Sequence, residues 1–292
     1  MSFDPKIAAI QLCSNLNVSD NLNSIENLVK KAANAGATYI LTPEMSLAYA
    51  GNLQQLEKIA NPYENNADIA TCARIAKKYQ IFLHIGSLAI KLENGQYANR
   101  SILFSPKGDI VDYYDKIHLF DANPPNEKPY RESGYYQAGN RAVIAKCDNF
   151  NIGFSICYDL RFASLFRKLA QGSTQNSKGQ MQGTQMRGAQ IIAVPAAFTV
   201  PTGKAHWEIL LRARAIETGS FIIAAAQSGE HENGRKTYGH SMIINPWGEI
   251  ITSLKNEGEG FIIGKIILDE VQEVRELIPA IKNNVDFLLS VN

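Results

Sequence analysis

The stretch "FNIGFSICYDLRF" (150–162) places Cys157 at the end of an apolar run, with the polar, turn-prone Tyr158 and Asp159 directly after it. A small core cysteine could sit anywhere along such a run. A nucleophile belongs at its end, where a sharp strand-to-helix turn presents the side chain to a pocket and aims the following backbone N–H groups at the reacting atom. A free thiol, with a pKa near ~8.5, needs a base or a cation beside it to react at neutral pH. His118 and His206 are the familiar type of helper. Two other residues stand at more telling places: Glu44 ends "TYILTPE" (38–44), and Lys116 ends the second strand expected in "YYDKIHLF" (113–120). Reactive side chains gathered at strand ends are the geometry of an α/β site. Each taken singly reads as a cap, a solvated lysine or a core thiol; the combination carries the inference.

Those strand ends imply a particular set of elements. "KIAAIQL" (6–12) reads as a strand and "SDNLNSIENLVKKAANAGA" (19–37) as a helix, with Leu22, Ile25, Leu28, Val29, Ala32 and Ala33 at helical spacing. Ser19 or Asp20 is its expected N-cap, and Gly36 lies near its C-cap. Further strands are expected at 38–44 and 81–90, a helix at 66–80, and a hairpin through "PKGD" in 100–116. After the cysteine come a helix "RFASLFRKLA", a strand "QIIAVPAAF", a helix "KAHWEILLRARAIE", a strand "FIIAAAQ" and the hairpin "HSMIINPWGEIITSL". Units of βα type mixed with hairpins predict an α/β fold with mixed sheets. No repeat or boundary divides the chain, so one domain over 1–292 is expected. It carries a polar insertion loop at about 171–188, too poor in apolar residues to bury itself, and a C-terminal helix and arm at about 268–292.

Composition narrows the functional classes. Among 292 residues, 29 Lys plus Arg oppose 28 Asp plus Glu, a balance that argues against a nucleic-acid partner. No apolar run approaches the roughly 18–20 residues that span a bilayer, and the first residues lack the pattern of a secretory signal, so no membrane association is expected. Cys13, Cys72, Cys147 and Cys157 form no CxxC, and the five histidines no HxxxH. The expectation is a cytoplasmic protein with no metal and no cofactor.

In chain order, "TPEMS", "DKIHLF" and "ICYDLRF" resemble the Glu–Lys–Cys motifs of the carbon–nitrogen hydrolase (nitrilase) superfamily, and "PYRESGYYQAGN" offers Glu132 where a second glutamate often lies. "FTVPTGKAHWEILLRARAIET" and "YGHSMIINPWGEI" look like further family segments, so the resemblance runs from residue 6 to about 285. It implies a four-layer α-β-β-α sandwich with two mixed β-sheets and a homodimer or higher homo-oligomer. It also implies hydrolysis of a small-molecule amide, with Glu44 as general base, Cys157 as nucleophile forming a thioester, Lys116 beside the oxyanion and Glu132 orienting Lys116 or the substrate nitrogen. The backbone N–H of Tyr158 would complete the oxyanion site. Arg161 is expected to brace the elbow with Asp159 through buried hydrogen bonds, or to hold a substrate carboxylate, and Glu208 to stabilise the pocket wall or join the chemistry. Several segments look closest to the branch that hydrolyses deaminated glutathione, with omega-amidase action on 2-oxo acid amides as the alternative and nitrile hydrolysis less favoured. Two rivals remain: a Cys–His hydrolase using His118 or His206, and a non-catalytic protein that retains the fold.

Overall fold

Period-two alternation sets the first layers. In the strand Lys6–Gln11, Ile7 and Ala9 face one apolar cluster while Ala8 and Ile10 face another, as a pleated strand buried on both faces requires. The computed structural model describes residues 4–123, 129–172, 188–255, 257–283, 285 and 288–291. Lys6–Gln11 belongs to a sheet ordered Gly260–Lys265, Lys6–Gln11, Tyr39–Leu41, Phe82–Lys91, Tyr97–Phe104, Ile110–Asp115, with the short Asn61–Pro62 also paired to Phe82–Lys91. The three strands Lys6–Gln11, Tyr39–Leu41 and Phe82–Lys91 run parallel, and the hairpin strands that follow are antiparallel. A second mixed sheet is ordered Ile250–Ser253, Met242–Ile244, Phe221–Ala226, Ile191–Ala196, Phe150–Phe154, Ile144–Cys147. Its central three strands are parallel.

Helices cover both outer faces. Helices α1 (Val18–Asn34) and α3 (Ala67–Tyr79) send Ile25, Leu28, Val29, Ala32, Ile69, Cys72 and Ile75 onto Ala8, Ile10, Ile40 and Leu83 of the first sheet. The short α2 (Leu53–Ile59) lies between them in sequence. On the other side, α4 (Ala163–Gln171) and α5 (Val200–Thr218) add Phe166, Leu169, Trp207 and Leu211 to the cluster that contains Ile152, Phe154 and Ile192 of the second sheet. That cluster also takes in Ile7, Ala9 and Leu41, so the two sheets share one core. The result is a four-layer α-β-β-α sandwich, closed by α6 (Asp269–Leu277), whose Arg275 donates to the carbonyls of Thr218 and Gly219 at the C-terminal end of α5. Among the described residues no helix is long and apolar enough to cross a membrane.

Several boundaries differ from expectation for local reasons. Helix α1 is capped by Asn17, whose side chain accepts from the N–H groups of Ser19 and Asp20, so capping moves upstream of both expected candidates. Strand pairing stops at Leu41 instead of continuing to Glu44, because Pro43 has no N–H to offer a ladder. Helix α5 starts at Val200, with Pro201 in its first turn, four residues before the expected start at Lys204. The expected loop at 171–188 lies outside the described residues except for Gln171, which ends α4, Gly172 and Gly188. Of the C-terminal arm, α6 is present, and Val285, Leu288, Leu289 and Val291 are strongly exposed.

Candidate active site

The residues that could do chemistry stand just beyond strand ends, on turns that the fold fixes tightly. Glu44 follows the Thr42–Pro43 turn, which rides directly over Gly86 of the neighbouring strand. A Cβ on Gly86 would lie 2.0 Å from the Thr42 carbonyl oxygen and 2.4 Å from Pro195 Cβ, so only glycine permits this approach. The side-chain amide of Gln227 donates to the Glu44 carbonyl at 3.0 Å and tethers the turn to the second sheet. Lys116 comes one residue after Ile110–Asp115, its N–H held by the Asn99 carbonyl at 3.0 Å. Cys157 lies beyond Phe150–Phe154, as the first residue of a 3-10 turn, Cys157–Arg161, with φ of +48°. A non-glycine residue in that left-handed region is costly and persists because its surroundings over-determine it.

Asp159 supplies that determination. Its carboxylate accepts from the Ile156 N–H at 2.8 Å, the Tyr114 hydroxyl at 2.7 Å, and both the N–H and Nδ1 of His118 at 3.1 and 2.6 Å. Tyr114 and His118 flank Lys116, so one fully buried carboxylate locks the thiol's turn to the lysine's strand.

Around the lysine the charges are dense and nearly dry. Lys116 is 2% exposed, and its Nζ sits 2.9 Å from Glu44 Oε1 and 2.8 and 3.1 Å from the two oxygens of Glu132. Glu132 also accepts from the Phe120 N–H at 2.6 Å. Asn99 Nδ2 reaches both acids, at 2.9 Å to Glu44 and 3.1 Å to Glu132, and so closes a ring of two carboxylates, an ammonium and an amide. Burial pulls the Lys116 pKa down, but the charges of Glu132 and Glu44 outweigh it and hold the ammonium well above its ordinary value. Burial, reinforced by the Glu44 charge, pushes the Cys157 thiol well up, against the opposing pull of Lys116 and a hydrogen bond from the Ala197 backbone. Burial thus favours the neutral thiol, next to a fixed cation and with the Glu44 charge acting on the sulfur.

Glu44, Lys116, Glu132, Asn99 and Cys157 all line one cavity of roughly 310 Å³, together with Tyr49, Tyr136, Ala197 and Arg235. Among the described residues of its lining there is no histidine. His118 is committed to Asp159 and stacks on Phe162 with ring centroids 3.5 Å apart, and His206 lies 3.3 Å from Arg161. One expected contact does not form. Glu208 is absent from the cavity wall: its side chain is 53% exposed on the outer face of α5 and pairs with Arg212 at 3.4 Å. A charge facing water on an amphipathic helix accounts for it. Arg161 lies beside the elbow, its guanidinium over the Tyr158 and Phe198 rings and outside the cavity lining. The Tyr158 side chain packs edge-on against Phe120, and its backbone N–H, second in the 3-10 turn, has no acceptor within that turn.

Asn99 and Arg235 were not anticipated. A signal existed for Asn99, which is a polar residue in the middle of Tyr97–Phe104, a strand buried along its whole length, where an amide must find partners. Arg235, in the polar turn between two short strands, gives no such signal.

The carbon-nitrogen hydrolase family pattern matches residues 6–276. The chain belongs to that family. It is 37% identical over 287 residues to a deaminated glutathione amidase of Synechocystis, covering 95% of this chain and 97% of that protein. It is 34% identical over 284 residues to the deaminated glutathione amidase of Mus musculus, covering 96% and 83%. Among solved structures, the NitFhit protein of C. elegans superposes with a TM-score of 0.85 at 30% identity, over 97% of this chain and 66% of that longer one. As a carbon-nitrogen hydrolase the protein is an amidohydrolase, acting on C–N bonds other than peptide bonds.

Proposed function

We propose that this enzyme cleaves the amide of a small, carboxylate-bearing substrate through a thioester on Cys157, and that deaminated glutathione is its preferred substrate. The observation that carries the reading is the buried Glu44–Lys116–Glu132 cluster facing the same cavity as the thiol. Glu44 takes the Cys157 proton as the sulfur adds to the amide carbon. The oxygen, now negative, lies against the Lys116 ammonium and the Tyr158 N–H; losing one such donor typically costs about 10²–10³ in rate. As the C–N bond breaks, Glu44 returns the proton to the departing amine. It then takes a proton from water, which attacks the thioester and releases the acid and the thiol. Glu132 holds Lys116 in place and charged throughout, so the cycle needs no histidine.

The chain acts as one carbon-nitrogen hydrolase domain, without a cofactor, in the reducing cytoplasm. It pairs as a homodimer through the outer face of α5, where Ile209 and Ile216 are 70% and 55% exposed. The names of the amidase relatives support the choice of substrate; 2-oxoglutaramate, the omega-amidase substrate, is the competing one. Steady-state kinetics on both, with an aliphatic nitrile as control, tests the order. The highest kcat/KM is expected on deaminated glutathione and negligible turnover on the nitrile; faster hydrolysis of 2-oxoglutaramate would make the enzyme an omega-amidase instead.

A further inference from the structure

Arg235 is the cation in the cavity that the chemistry above leaves unused. It lines the same cavity as Cys157, half-buried, and no ion pair joins it to a carboxylate among the described residues. The two arginines buried most deeply are answered by carboxylates, Arg100 bidentate to Asp115 at 2.7 and 2.8 Å and Arg214 to Glu217 at 2.8 Å, while half-buried Arg275 spends its guanidinium on the Thr218, Gly219 and Ala189 carbonyls and the Ser220 hydroxyl. Among the described residues the neighbours of Arg235 are neutral: the Gly51 carbonyl at 3.4 Å, the Tyr130 ring at 4.6 Å and the nearby Tyr49 phenol. Burial pushes Tyr49 up to about 12, so that phenol stays protonated. Arg131, the remaining arginine of the lining, is exposed and spends its guanidinium on the carbonyls of Ala122 and Tyr130 and on Asn123.

The turn carrying Arg235 is built in place. Asn233 accepts from the Arg235 N–H at 2.9 Å and donates to the Tyr49 carbonyl at 2.8 Å, which pins the turn to the rim of the cavity. The cavity is also electrically polarised. Two carboxylates against one ammonium leave the thiol end with a net negative charge, which repels an anionic group from Cys157. The Tyr136 phenol feels the charges of Glu132, Glu44 and Lys116 and also that of Arg235, so it lies in the field of both the cluster and the arginine.

The geometry points to Arg235 as the carboxylate-recognition residue of the cavity, receiving the 2-oxo acid end of the acyl half of the substrate while repulsion at the other end turns the neutral amide toward Cys157. The planar guanidinium fork matches a carboxylate with two parallel hydrogen bonds. The assignment rests on the amidase reading and deepens it by naming the group that selects an acidic substrate.

The test compares kcat/KM on 2-oxoglutaramate with kcat/KM on butanamide, a neutral amide of similar reach, for wild type, R235Q and R235K. Wild type should favour the acid. In R235Q the acid-to-neutral ratio should fall by roughly 10²-fold, mainly through KM, with R235K intermediate because a lysine charge lacks the fork. Product binding gives a second readout that needs no turnover: 2-oxoglutarate should raise the Tm of wild type and not that of R235Q. An unchanged ratio, or product stabilisation that survives in R235Q, overturns the assignment while leaving the amidase reading intact. A wild type that itself prefers butanamide instead overturns the acidic-substrate reading, and Arg235 with it.

Discussion

At the scale of residues, Lys116 is where the electrostatics of the site are decided. An ammonium at 2% exposure costs several kcal/mol unless paired, and here it faces two carboxylates within 2.9 Å. Replacing it removes the cation and strands two buried anions. K116M should therefore lower kcat by about 10³-fold or more and also lower Tm, since breaking a buried pair costs about 3–5 kcal/mol. Asn99 is the subtler case: its amide donates to both acids, so N99A should relax their alignment and cost about tenfold in kcat, with KM little changed, read by steady-state kinetics. His84 makes a prediction about stability. Fully buried between Tyr39 and Ser101, it is pushed down to about 3 by burial. The unfolded chain takes up a proton on this histidine below about pH 6.5 and the folded chain does not, so stability present at pH 7 declines as pH falls from about 6.5 toward 3. The slope is at most about 1.4 kcal/mol per pH unit, and H84Q should flatten it in denaturant titrations at pH 7 and pH 5.

At the scale of elements, the site depends on turns held from outside it. Asp159 joins the Cys157 turn to the strand bearing Lys116 through Tyr114 and His118. D159A should leave Cys157 without support for its positive φ, lowering both Tm and kcat. Gly86 is the matching point beneath Glu44. G86A must push a methyl into the Thr42 and Pro43 carbonyls and Pro195, at a cost of about 1–3 kcal/mol, so thermal unfolding should shift down measurably. These couplings explain what could be read in the sequence. The Cys157, Lys116, Glu44 and Glu132 segments are local strings whose residue types and order announce them, and βα alternation with hairpin signals implies mixed sheets. The bonds that gather them are not local. Asp159 reaches across 41 positions to His118, and Asn99 across 55 to Glu44. Glu208 shows the reverse failure: its string resembles the family's, but helical phase turns it to water. Arg235 sits in an unpatterned polar turn whose aim toward the cavity is set only by tertiary contacts.

At the scale of the whole molecule, two sheets share one core and each brings part of the site, the first Glu44 and Lys116, the second Cys157. Chemistry then requires the sandwich as a unit, and loss of activity on heating should coincide with global unfolding. The outer layer makes a separate statement. Ile209 and Ile216, on the exposed face of α5, together with Trp247 at 53% exposure, form the apolar surface expected to pair two copies. The native chain should sediment as a dimer and an I209D/I216D variant as a monomer.

The account as a whole turns on a covalent bond to one sulfur. Wild-type enzyme acid-quenched during turnover of deaminated glutathione, digested and analysed by mass spectrometry, should carry the five-carbon 2-oxo acyl group on Cys157 and on none of Cys13, Cys72 or Cys147. Substrate consumption in full with Cys157 unmodified, or with the acyl group on another residue, would contradict it.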